Sequence, residues 1–155
     1  CAFLLRDDIE TIHAATDLLA EAKLSPELRN EALYYRAKAY TKQKADKKAM
    51  EDYRELAKDT RNPYGAEAKY QVAQSLYDAK EYAAAEKELL NYIEQSTPHA
   101  YWLARSFVLL SDIYHATGKD LDARQYLLSL QQNYQGNDDI ESMIESRLSK
   151  LKVEN

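Results

Sequence analysis

The chain has 155 residues, 45% of them hydrophobic and 30% charged, with 21 Lys and Arg against 26 Asp and Glu for a net charge of −5. That composition can bury one core and suits a single domain, while the acid excess is a poor start for a nucleic-acid binder. Three glycines, three prolines and one cysteine argue against a loop-rich β-protein, a glycine-rich phosphate loop, a disulfide framework or a cysteine-ligated zinc site.

In chain order, residues 1–25 read as a partial first repeat. Its opening Cys1-Ala2-Phe3-Leu4-Leu5 is the longest apolar run and falls far short of the ~18–20 residues of a membrane span. A start at Cys, with no capping residue before it, suggests a piece of a longer chain whose first helix tails off near Asp8; a lipid-bearing N-terminal Cys1 is the alternative. Ala15, Leu19 and Ala22 then fall on a second helix. Pro26, Pro63 and Pro98 follow at spacings of 37 and 35, each behind a good N-cap residue, Ser25, Asn62 and Thr97. Proline at the first helical position gives up only an N–H that has no partner there, so each marks a helix start. Repeats are expected over residues 26–61, 62–96 and 97–135, with a capping helix over 136–155.

The side chains repeat with the prolines. Aligned on Ala49, Ala85 and Ala123, a small residue lies twelve positions before (Ala37, Ala73, Ser111) and a large one nine before (Tyr40, Leu76, Tyr114). Four after come Tyr53, Leu89 and Leu127, and seven after come Leu56, Tyr92 and Leu130. Spacings of four and seven put each set on one helical face. Polar turns at Lys42–Asp46, Asp78–Glu81 and Thr117–Asp120, the last with Gly118, split every repeat into a helical hairpin. The small residue of the first helix faces the Ala of the second. Beyond Gly136 and Asn137, Asp138 with Glu141 reads as a capping box. Ile140, Met143, Ile144, Leu148 and Leu151 form an apolar stripe, and Lys150 and Lys152 suit a helix C-terminus.

This pattern of small residue, aromatic, Ala and aromatic on a helical hairpin resembles the tetratricopeptide repeat, over about residues 26–134. The sets are Ala37, Tyr40, Ala49, Tyr53; Ala73, Leu76, Ala85, Leu89; and Ser111, Tyr114, Ala123, Leu127. The chain departs from the family in its longer repeats and in Leu33, Lys69 and Phe107 at the family's early aromatic position. The resemblance implies an all-α, right-handed solenoid whose first helices line a concave groove for a peptide or protein segment. It places in that groove Tyr34, Tyr35 and Lys38, with Glu31, Thr41 and Lys42 beside them, then Tyr70, Gln71, Gln74 and Tyr77, with Glu67 and Asp78. The third repeat allows two registers, one of which offers Phe107, Ser111, Tyr114 and His115. Tyr34, Tyr70 and Phe107 would make an aromatic line, or else pack between hairpins. The family's clamp for a C-terminal carboxylate is not matched, since Lys38 stands alone among the required polar groups. The style of the repeats resembles the C-terminal part of a larger bacterial protein, with the periplasmic side of the envelope favoured over the cytoplasm.

Catalytic chemistry finds no foothold in the sequence. His13, His99 and His115 are scattered singly, and no Ser, Thr or Cys has an activating neighbour. The expectation is a non-enzymatic interaction scaffold without cofactor or metal, binding a protein or peptide of unstated identity, with no nucleic acid and no membrane span. A glycan-binding module using Trp102 and exposed tyrosines, or a purely structural cap, are the alternatives.

Overall fold

A computed structural model describes residues 2–95 and 98–151, with side chains from Asp7 onward. The readings placed on Cys1, on Thr97 as a cap and on Lys152 lie outside the described residues. Among these, the chain is all-helical, with eight helices and no strand: α1 Ala2–Leu19, α2 Pro26–Lys42, α3 Asp46–Leu56, α4 Pro63–Asp78, α5 Tyr82–Glu94, α6 Ala100–Ala116, α7 Asp120–Asn133 and α8 Ile140–Lys150. Helices that neighbour in sequence pack together. The chain divides into two compact units, Cys1–Lys69 and Tyr70–Asn155, the division falling inside α4.

Two of the three proline starts form as the sequence dictates. Ser25 Oγ accepts from the Leu28 amide at 3.3 Å ahead of α2, and Asn62 Oδ1 accepts from the Gly65 amide at 2.8 Å ahead of α4. Each satisfies one amide that the first helical turn leaves without a partner. The third differs, because α6 begins at Ala100, two residues past Pro98. The expected break near Asp8 is also absent: α1 runs through it unbroken, and Ala22 lies exposed beyond its end.

The hairpin turns are copies of one another. Lys44, Lys80 and Gly118 take left-handed φ values of 59°, 62° and 78°, each five residues before the Ala on which the repeats align. In all three, the next amide donates back across the turn: Ala45 to Tyr40, Glu81 to Leu76 and Lys119 to Tyr114, at 2.8, 2.9 and 2.7 Å. This is the Schellman closure, which satisfies carbonyls at the helix end and needs one left-handed residue. Glycine takes that conformation freely, whereas lysine takes it at a cost of ~1–2 kcal/mol.

Four of the five aligned columns are buried, while the column nine before keeps Tyr40 and Leu76 half-buried. Ala37, Ala73, Ser111, Ala49, Ala85 and Ala123 are all at most 2% exposed, and Tyr53, Leu56, Leu89, Tyr92, Leu127 and Leu130 are buried with them. In the second unit Ile140, Ile144 and Leu151 of the closing stripe join the core cluster, with Met143 and Leu148 packed against it. The capping box differs from expectation: Asp138 accepts from the Ile140 amide, two residues on, and its other oxygen takes the Tyr134 hydroxyl.

In the first unit, Gly65 has a part that its place near a helix start did not announce. A Cβ there would lie 1.8 Å from the Asp59 carbonyl oxygen. Only glycine lets the first turn of α4 approach that backbone so closely.

Candidate functional site

The first unit gathers Tyr34, Tyr35 and Lys38 of α2 with Tyr64 and Glu67 of α4. Tyr34 donates to Glu67 Oε1 at 2.9 Å, and Lys38 Nζ lies 2.8 Å from Glu67 Oε2. The Tyr34 ring packs on Tyr64 at 4.7 Å and edge-on to Tyr35 at 5.5 Å, with the Lys38 ammonium 5.2 Å from its centre. Burial and the bond to Glu67 raise the Tyr34 phenol. Burial presses the Lys38 ammonium down, but the Glu67 carboxylate outweighs it, so Lys38 holds its proton more tightly than in water. Both groups therefore stay protonated at neutral pH, and the cation is already paired. Tyr35, 49% exposed, presents the open apolar surface of this face.

In the second unit, Arg105 of α6 sits among Tyr70, Tyr101 and Trp102, its guanidinium carbon 4.8, 5.8 and 5.7 Å from the three rings. It donates to the Tyr101 and Tyr70 hydroxyls at 2.9 and 3.1 Å. Those hydroxyls in turn donate to Asp139 at 2.9 Å and Gln74 at 2.8 Å, and Gln74 continues to Asp78 at 2.9 Å. Cation–π attraction and phenolic acceptors hold this half-buried charge where a carboxylate would ordinarily be. Trp102, the residue suggested for stacking on a sugar, is engaged in this cluster.

Further along α6 lies a pocket of about 380 Å³, wholly within the second unit. Tyr77 from α4, Ser111, Asp112 and His115 from α6, and Arg147 and Lys150 from α8 line it. Arg147 grips Asp112 with two bonds, 2.8 and 3.1 Å, fixing α8 against α6. His115 Nδ1 stands 2.8 Å from Asp120 Oδ1. Burial first, and then the nearby Asp112 charge, raises the Tyr77 phenol, leaving it a hydrogen-bond donor at neutral pH.

The ten residues expected to line a groove thus meet different fates. Tyr35 is exposed, while Tyr34, Lys38, Gln71, Gln74, Tyr77 and Phe107 are half-buried. Tyr70, Ser111 and Tyr114 are buried. Tyr34 and Tyr70 spend their rings on packing, and Phe107 and Tyr114 both pack on Tyr126 of α7, at 5.8 and 5.4 Å. Of the ten, the pocket brings together Tyr77 and Ser111. The polar groups of α6 that the chosen register passed over are Arg105 and Asp112, and neither Arg147 nor Tyr64 was singled out. Counting strictly from the aligned columns would have found two of them, since Asp112 occupies the place of Lys38 and Gln74, and Arg105 that of Glu67.

Among the described residues no group of three His, Cys, Asp or Glu is placed to hold a metal ion, and no helix is long and apolar enough to cross a membrane. No family model, curated protein or solved structure matches the chain.

Proposed function

We propose that this chain is a non-enzymatic interaction module of tetratricopeptide-type hairpins that receives a segment of a partner protein on the face formed by α4, α6 and α8 of its second unit. The observation that carries the reading is the pocket at Tyr77, Ser111 and His115, residues that the family resemblance assigns to its binding groove. The recurrent left-handed turns and the buried columns support the repeat reading independently of any binding. A pocket walled by helices rather than loops keeps its shape before the ligand arrives, which lowers the ordering cost of binding.

Selection of short peptides from a display library against the full chain tests this, followed by mapping of amide shifts in its NMR spectrum. Enriched peptides should move the resonances of Tyr77, Ser111, His115 and Arg147. Failure to enrich any peptide, or shifts confined to another face, would overturn the reading.

A further inference from the structure

The pocket between α4, α6 and α8 holds more donors than acceptors. Ser111 is 1% exposed and lines the pocket, yet its hydroxyl makes no hydrogen bond to any described residue. The Tyr77 hydroxyl is likewise without a partner among the described residues, as is the Lys150 ammonium at the rim. The one carboxylate lining the pocket, Asp112, is already taken by Arg147 through both of its oxygens. A hydroxyl without a protein partner at a pocket wall is one that a ligand can satisfy. Ser111 makes this sharper, because the same column carries Ala37 and Ala73 in the other two hairpins, where no hydroxyl has to be satisfied. Two hydroxyl-bearing residues and a lysine without a carboxylate partner among the described residues line a space whose own carboxylate is already paired with Arg147.

We propose that this pocket is a carboxylate-binding site, which accepts the side chain of a Glu or Asp in the partner segment. The inference rests on the peptide-binding reading for the source of the carboxylate, and on the pocket alone for its chemistry. One carboxylate oxygen takes the Ser111 and Tyr77 hydroxyls, and the other faces the Lys150 ammonium. Salt confines the field of the chain's net charge of −5 to about 8–10 Å, and the carboxylates nearest the pocket already have partners: Asp112 in Arg147, Asp120 in His115 and Asp78 in Gln74. A charge-assisted bond to a carboxylate is about twice as strong as a neutral one, so an amide in its place should bind less well.

The test titrates the full chain with N-acetyl-glutamate N-methylamide and with its glutamine counterpart, following amide shifts. The glutamate compound should move Tyr77, Ser111 and Lys150 saturably, and the glutamine compound should not. Lys150→Met, which keeps the apolar stem, should weaken the glutamate compound about three- to fivefold. Ser111→Ala should weaken it about threefold while leaving the melting temperature unchanged or higher. Equal response to both compounds, or no saturable shift at the pocket, would overturn the carboxylate site. If display-selected peptides still mapped to the pocket in that case, the peptide-binding reading would stand without it. If the glutamate compound bound and no peptide did, the carboxylate site would stand and the peptide-binding reading would fall.

Discussion

The two units share the same closed turn between helices and differ in how they hold their cations. In the first, three of the four cations of α2 meet carboxylates: Lys38 with Glu67, Arg29 with Glu55, and Arg36 with Asp52 through two bonds of 2.7 and 2.8 Å. In the second, Asp112 holds Arg147 in the same way, but Arg105 rests on aromatic rings and phenol oxygens, and Lys150 meets no carboxylate among the described residues. Similar backbone turns therefore carry cations held mostly by carboxylates in the first unit and partly by aromatic rings in the second. The repeat determines where a side chain stands, and the residue chosen there decides whether it stabilises the fold or waits for a ligand.

The strongest way to break the contrast is to remove a partner from the first unit. Asp52→Ala strands the half-buried Arg36 guanidinium and should cost about 3 kcal/mol in urea unfolding. Lys150→Met in the second unit, with no partner to strand, should stay within ~0.5 kcal/mol by the same measurement. Gly65→Ala forces a Cβ into the Asp59 carbonyl and should cost about 2–3 kcal/mol, read as a lower thermal midpoint. The turns give smaller and opposite effects. Gly118→Ala should destabilise by about 1 kcal/mol, and Lys80→Gly should stabilise by ~0.5 kcal/mol, because only the first places a Cβ in a left-handed residue.

The smallest effects appear at the extremes of pH. In the first unit, Lys58 and Arg29 hold the Glu55 carboxyl below its ordinary range, and Arg61 does the same for Asp59. A lowered carboxyl favours the folded state above its unfolded pKa, and that contribution fades as pH falls through the lowered value. In the second unit, burial and the bond to Asp138 push the Tyr134 phenol up to about 12, from about 10 in an unfolded chain. Its contribution is complete below pH ~10 and lost as pH climbs through about 12. Amide resonances of the first unit should therefore respond first in acid. Phenolate absorbance should keep a late component, and Tyr134→Phe should reduce the part of it near pH 12.

Most of the fold was legible because burial columns and turn positions are local, periodic properties of the sequence. Ala49, Ala85 and Ala123 announced themselves by spacing, and the polar turns separated the helices to within a few residues. The pocket was only half legible. Tyr77 and Ser111 were named from the family pattern, whereas Asp112 and Arg147 recognise each other across 35 residues, a distance that periodicity does not span. The third hairpin allowed two registers for a related reason. Phe107, Ser111 and Tyr114 make a helical stripe as regular as the one through Arg105 and Asp112, and spacing cannot say which of two adjacent stripes meets the core. Gly65 was invisible because its role depends on a carbonyl six residues earlier that the backbone folds back upon.

The cross-turn bond from the residue after Lys44, Lys80 or Gly118 leaves these connections without slack. One residue inserted into the second helix ahead of Ala49 would rotate everything beyond it by about 100°, carrying the Ala49, Tyr53 and Leu56 face away from α2. Changes of length that keep the core are then confined to whole hairpins or to the stretches between them. A residue added between helices that no closed turn joins should therefore disturb the existing surface less than one added inside α3.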